Sequence, residues 1–151
     1  MYACEYNHVD IANMLISRGA DVTAQDFNCV NIAIKTGHTE IFLRLMRISD
    51  ILFDNDLPAY DFLIAAIENI RPVMVKELLK RSYWYSETEK KLAFCKSVKT
   101  GCLELVEPFL EHFREMMYGL GVEEKKCVDE VKNEEVLKAV EDFDKWYESH
   151  F

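Results

Sequence analysis

The chain has 151 residues, half of them hydrophobic, and 27 acidic against 18 basic side chains give a net charge of −9. That length suits one domain with a core, and an acidic balance with a pI near 4.9 lacks the basic footprint that nucleic-acid phosphates demand. No run approaches the ~20 apolar residues of a membrane span, and the start Met-Tyr-Ala-Cys-Glu shows no secretory signal. The five cysteines, Cys4, Cys29, Cys95, Cys102 and Cys127, are odd in number and scattered without a C-x-x-C pair. They read as free thiols in a reducing compartment, so a cytoplasmic location is expected.

Asn7, Gly37, Asn69, Gly101 and Asn133 recur at spacings of 30, 32, 32 and 32 residues. Each is a residue type that tolerates a left-handed backbone at a helix end, and a fixed period of this size marks a repeat array. The first unit, about 1–25, has one turn of helix before Asn7 and the apolar run Ile11/Met14/Leu15 after it. In the second, about 26–56, the spacing predicts helices over Val30–Thr36 and Thr39–Met46. The third, about 57–86, gives Tyr60–Glu68 and Pro72–Lys80, with Pro72 at the first helical position, where its missing N–H costs nothing. The fourth, about 87–121, follows a capping box, Ser86 with Glu89, and the apolar series Leu92/Phe94/Cys95/Val98. Its second helix, Leu103–Tyr118, holds Pro108, where a kink or early break is predicted. A capping pair over about 122–151 comprises Lys125–Lys132 and Glu134–Tyr147, the latter with the stripe Val136/Leu137/Val140/Phe143/Tyr147. Residues 120–151 carry ten acids against five lysines, read as the solvated face of an end helix. Ala33, Ala65, Ala66, Leu15, Leu45 and Leu79 are the expected core.

Ala3-Cys4-Glu5-Tyr6-Asn7-His8 through Arg18-Gly19-Ala20-Asp21-Val22-Thr23-Ala24 resembles the ankyrin repeat, as does Ile32 through Ile41 of the next unit. The match is close over 3–46, looser over 62–80 and 92–110, and positional over 125–147. Between Asp26 and Gly37 the T-P-L-H of the common form is missing, replaced by Asn28-Cys29-Val30-Asn31. This clipped variety resembles ankyrin arrays of giant DNA viruses of amoebae. The resemblance implies one all-α domain over 1–151, an ankyrin-type α-solenoid of stacked helix pairs with degenerate terminal repeats. A single pair cannot cover its own apolar face, so each unit must stack on its neighbours.

The resemblance further implies that partners bind a concave face made by finger tips and by the pair before each Gly. Carried over by position, the expected contact residues are Phe27 and Asn28, Lys35 and Thr36, Asp56 and Leu57, Ile67 and Glu68, Tyr83, Trp84 and Tyr85, and Lys99. The aromatic triplet matters because Trp and Tyr dominate interface hot spots. No catalytic constellation, cofactor motif or metal set is present: there is no G-x-S-x-G, H-E-x-x-H or phosphate loop. His8 and His38 fall on the repeat's own His position, as helix-start hydrogen bonders, and His112 and His150 are isolated. The expected function is a non-enzymatic scaffold that binds another protein, a host protein on the viral resemblance, with no nucleic acid and no membrane involved. The alternative is an assembly module: a homo-oligomer or a segment of a longer array, joined through the open N-terminal repeat.

Overall fold

Every Gly or Asn mark falls between two helices in the computed structural model, which describes residues 1–52, 58–115 and 119–150. Among the described residues there are ten α-helices and no strand. They are α1 (Tyr2–Glu5), α2 (Val9–Ser17), α3 (Ala24–Thr36), α4 (Thr39–Leu52), α5 (Ala59–Glu68), α6 (Pro72–Leu79), α7 (Glu87–Thr100), α8 (Leu103–Glu115), α9 (Val122–Asp129) and α10 (Glu134–His150). The fold of the described residues is all-α. The chain forms two compact units, Met1–Met74 and Val75–Phe151, whose boundary lies within α6.

The marks close the first helices by different means. Asn7, Gly37 and Gly101 adopt left-handed φ angles of 56°, 81° and 70°, and the N–H groups of Gly37 and Gly101 bond back to Ala33 and Val98. At the third mark the left-handed residue is Ile70, at φ 54°, while the Asn69 side chain donates to the Ala65 carbonyl at 2.8 Å. Asn133 instead caps α10, its Oδ1 accepting from the backbone N–H of Glu135 at 2.9 Å. The capping box forms as expected, with Ser86 and Glu89 serving each other's backbone. The break predicted at Pro108 does not occur, and α8 runs through it. The carbonyl that loses its donor there, four residues back, belongs to Glu104, an exposed residue in the first turn of the helix.

The second helices bury the same four positions. They are Ile41/Phe42/Leu45/Met46 in α4, Met74/Val75/Leu78/Leu79 in α6 and Leu105/Val106/Phe109/Leu110 in α8, all core. The counterparts in α2 are Ile11/Ala12/Leu15/Ile16, and of these only Ala12 is buried. Ile11 and Leu15 are each 45% exposed, against 1% and 3% for Ile41 and Leu45. The expectation that Leu15 is core is therefore corrected: among the described residues α1 and α4 pack on α2 and leave Leu15 exposed. Ala33, Ala66, Leu45 and Leu79 are core, and Ala65 is half-buried.

In the first unit α3 packs between α1 and α5, and α2 lies on α4. In the second, α7 packs on α8 and α9, and α8 on α10. There Phe94 and Phe109 meet Phe113 at ring-centroid separations of 5.4 and 6.5 Å, and Phe113 meets Phe143 at 6.5 Å. The reading of all five cysteines as free thiols is also corrected. Cys95 of α7 and Cys127 of α9 form a disulfide, whereas Cys4, Cys29 and Cys102 are free. Among the described residues no helix is long and apolar enough to cross a membrane.

Candidate interaction site

The turns between paired helices are tied to the repeat before them by side chains. His38 Nδ1 lies 2.8 Å from the Cys4 carbonyl oxygen at the end of α1. Arg71 donates from Nε to the Ile34 carbonyl at 3.1 Å and from Nη2 to the Lys35 carbonyl at 2.9 Å, at the end of α3. Asn133 Nδ2 donates to the Gly101 carbonyl at 2.9 Å, just past α7. The last carbonyls of a helix have no intrahelical partner, and here the following repeat supplies one. Gly37 is required twice over. Besides its positive φ, a Cβ there would stand 2.8 Å from the Arg71 guanidinium carbon.

On this frame the expected contact residues divide. Lys35, Thr36 and Glu68 are exposed at the ends of the neighbouring helices α3 and α5, and Lys99 is exposed at the end of α7. The Thr36 hydroxyl is turned back onto the Ile32 carbonyl at 2.7 Å, and Lys99 Nζ stands 3.5 Å from Glu130. Asn28 is half-buried, its amide 3.2 Å from the Met1 sulfur. Asp56 and Leu57 lie outside the described residues.

Phe27, Ile67 and Tyr85 are corrections, because all three are buried. Helix α3 begins at Ala24 rather than Val30, which brings Phe27 into its first turn and onto Phe62, edge to face at 6.2 Å. Ile67 joins Phe62, Leu63 and Ala66 on the buried side of α5. The 3₁₀ turn Ser82–Trp84 swings Tyr85 inward, where its hydroxyl donates to the Leu78 carbonyl at 3.4 Å. Burial pushes the Tyr85 phenol well above its usual range.

Tyr83 is 76% exposed, and its ring stands edge-on to Trp84 at 5.7 Å. Trp84 is half-buried beneath the Arg81 guanidinium, 5.4 Å from the ring centroid. Arg81 Nη1 donates to both the carbonyl and Oε1 of Glu77 at 2.9 Å, and Lys80 donates to Glu77 Oε2 at 2.8 Å. Burial would push the Glu77 carboxyl up, but Lys80 and Arg81 outweigh it and hold the group below its usual range. The projecting tyrosine thus rests on a fixed base.

Beside the disulfide, α7 and α9 frame an open groove of 400 Å³ lined by Thr88, Lys91, Leu92, Cys95, Lys99, Glu124 and Cys127. Glu124 is buried, with Oε1 3.2 Å from Lys91 Nζ, and Leu92 is exposed. Sequence reasoning placed Leu92 with the apolar series of α7. The signal it missed is that 88, 92, 95 and 99 share a helical face opposite the buried Phe94 and Val98. The disulfide also had a signal, since Cys95 and Cys127 are 32 residues apart, the interval of the Gly/Asn marks.

Among the described residues no group of three or more His, Cys, Asp or Glu side chains could hold a metal ion. Residues 1–27 match the family model Ankyrin repeat. Nothing among curated proteins or solved structures matches the chain.

Proposed function

We propose, from the match of residues 1–27 to the ankyrin repeat, a repeat that generally mediates protein–protein interaction, that the chain is a non-enzymatic recognition module with one protein partner. The observation that carries this reading is the Tyr83 ring, exposed and held by Trp84, Arg81 and Glu77. A pre-positioned aromatic loses little entropy on binding, which is where hot-spot affinity arises. The groove over α7 and α9 adds an apolar side chain, Leu92, between two lysines, which give orientation more than affinity. In the first unit Lys35, Thr36 and Glu68 offer a polar surface of the same kind. The reading places the chain inside a cell, with a host protein as target on the viral resemblance. Affinity capture with the intact chain, repeated with Tyr83→Ala, tests it. The partner should be lost by well over tenfold while the urea midpoint stays unchanged, and retention at full yield would overturn the reading.

A second reading rests on a different observation, the exposure of Ile11 and Leu15 where their counterparts Ile41 and Leu45 are buried. On that reading the outer face of α2 receives another helix pair of the same kind, from a second copy of the chain. Light scattering across a dilution series would show a dimer that Ile11→Glu with Leu15→Glu abolishes. A monomer at every concentration would remove this reading and leave the first intact.

A further inference from the structure

The first unit holds two free cysteines on neighbouring helices, Cys4 of α1 and Cys29 of α3. Both line one small cavity of 70 Å³ with Ala12, Leu15, Ile16 and Leu45. They differ in access: Cys4 is buried, Cys29 is half-buried, and Leu15 in the cavity wall is itself half exposed. The neighbouring Cys4 side chain holds the Cys29 thiol below its usual range, and the Cys29 side chain together with burial raises Cys4. His38 fixes the Cys4 backbone through its carbonyl, so α1 is anchored beside α3. In the second unit the corresponding neighbours, α7 and α9, already carry a disulfide. First helices of adjacent repeats thus come near enough for that bond.

We propose that Cys29 and Cys4 form a thiol–disulfide exchange site for low-molecular-weight disulfides, Cys29 being the residue modified and Cys4 the residue that resolves it. The Cys29 thiolate attacks one sulfur of the small disulfide, a new S–S bond forms, and the first small thiolate leaves. Cys4 then gives its proton to water, and its sulfur attacks Cys29. The second small thiolate departs, and Cys4–Cys29 is closed. Two protein thiols are oxidised and one disulfide is reduced to two thiols. The product would tie α1, a helix of only four residues, covalently to α3. The accessible thiol of such a pair attacks because reactivity follows thiolate character and exposure.

The test uses the full chain and oxidised glutathione as the probe, with peptide mapping as the readout. Trypsin cuts after Arg18 and Lys35, which places Cys4 and Cys29 on separate peptides. The expected product is those two peptides joined, with Cys29 consumed about tenfold faster than Cys102, the other half-buried free thiol. In Cys4→Ser the reaction should stop at a glutathione adduct on Cys29. Should Cys4→Ser fail to fold, alkylation of Cys29 against Cys102 in the unaltered chain gives the same comparison of rates. Equal rates at Cys29 and Cys102, or adducts on Cys29 that never close onto Cys4, would overturn the proposal. None of these outcomes depends on a protein partner, so the recognition reading stands or falls separately.

Discussion

Replacing Gly37 with alanine should cost more than replacing Gly101, although the two share a left-handed backbone. Both have φ angles near +75°, at 81° and 70°, so each substitution carries the left-handed penalty of about 1–2 kcal/mol. Their surroundings differ. A Cβ at Gly101 meets nothing nearer than 3.9 Å, whereas at Gly37 it enters the Arg71 guanidinium at 2.8 Å. Arg71 is flexible enough to withdraw, but withdrawal breaks its two bonds to the ends of α3. Hydrogen bonds of a charged donor contribute about 1.5–3 kcal/mol each, and Arg71 is only half-buried, so the lower end applies. Gly37→Ala should therefore cost about 4–5 kcal/mol, against about 1–2 for Gly101→Ala. Urea unfolding followed by circular dichroism measures both, and an Arg71→Ala background should bring the Gly37→Ala cost down to that of Gly101→Ala. Equal costs in the original background, or a Gly37→Ala cost that Arg71→Ala leaves unchanged, would refute the reasoning.

Ile70 is β-branched, 55% exposed and left-handed at φ 54°, so Ile70→Asn should raise stability by up to about 1 kcal/mol; a loss of that size in the unfolding midpoint would show that its side chain is needed. Leu45→Ala should cost roughly 2–5 kcal/mol by the cavity argument, and Leu15→Ala under about 1, because Leu15 is exposed; comparable losses would place both in the core. Tyr85→Phe should cost little at neutral pH, since its hydroxyl makes one long bond. The raised Tyr85 pKa means that the native state holds the phenolic proton after the unfolded state has lost it. Stability should then fall as pH rises above about 10, and Tyr85→Phe should flatten that alkaline limb in unfolding scans.

The period was legible because Gly and Asn recur where each first helix must end, and that constraint acts through the backbone alone. Of the second-helix core the sequence reading named Leu45 and Leu79, both buried; the four positions that repeat in α4, α6 and α8 emerge only from the packing. What the sequence did not disclose depends on neighbours. Leu15 has the same type and position as Leu45, and only the packing around them separates them. Phe27 was read as a finger because its place in the repeat was carried over from the family resemblance, yet α3 starts at Ala24 and the ring finds Phe62. In the aromatic triplet one short 3₁₀ turn sends Tyr83 outward and Tyr85 inward, a distinction that composition cannot carry. The Cys95–Cys127 bond was hidden by the habit of seeking cysteines close in sequence, whereas in a repeat fold residues one period apart are the neighbours.

The bonds from His38, Arg71 and Asn133 back to the preceding repeat bear on how such an array can change over generations. Each is made by a different residue type, at a slightly different offset from its mark. A repeat copied whole and inserted elsewhere would keep its apolar positions and stack, yet its donor would face carbonyls spaced for another side chain. Order along the array is thus written into individual pairs of adjacent turns, while the greasy interior remains interchangeable. Duplication or shuffling of single units is correspondingly disfavoured, and lineages should exchange these units in adjacent pairs.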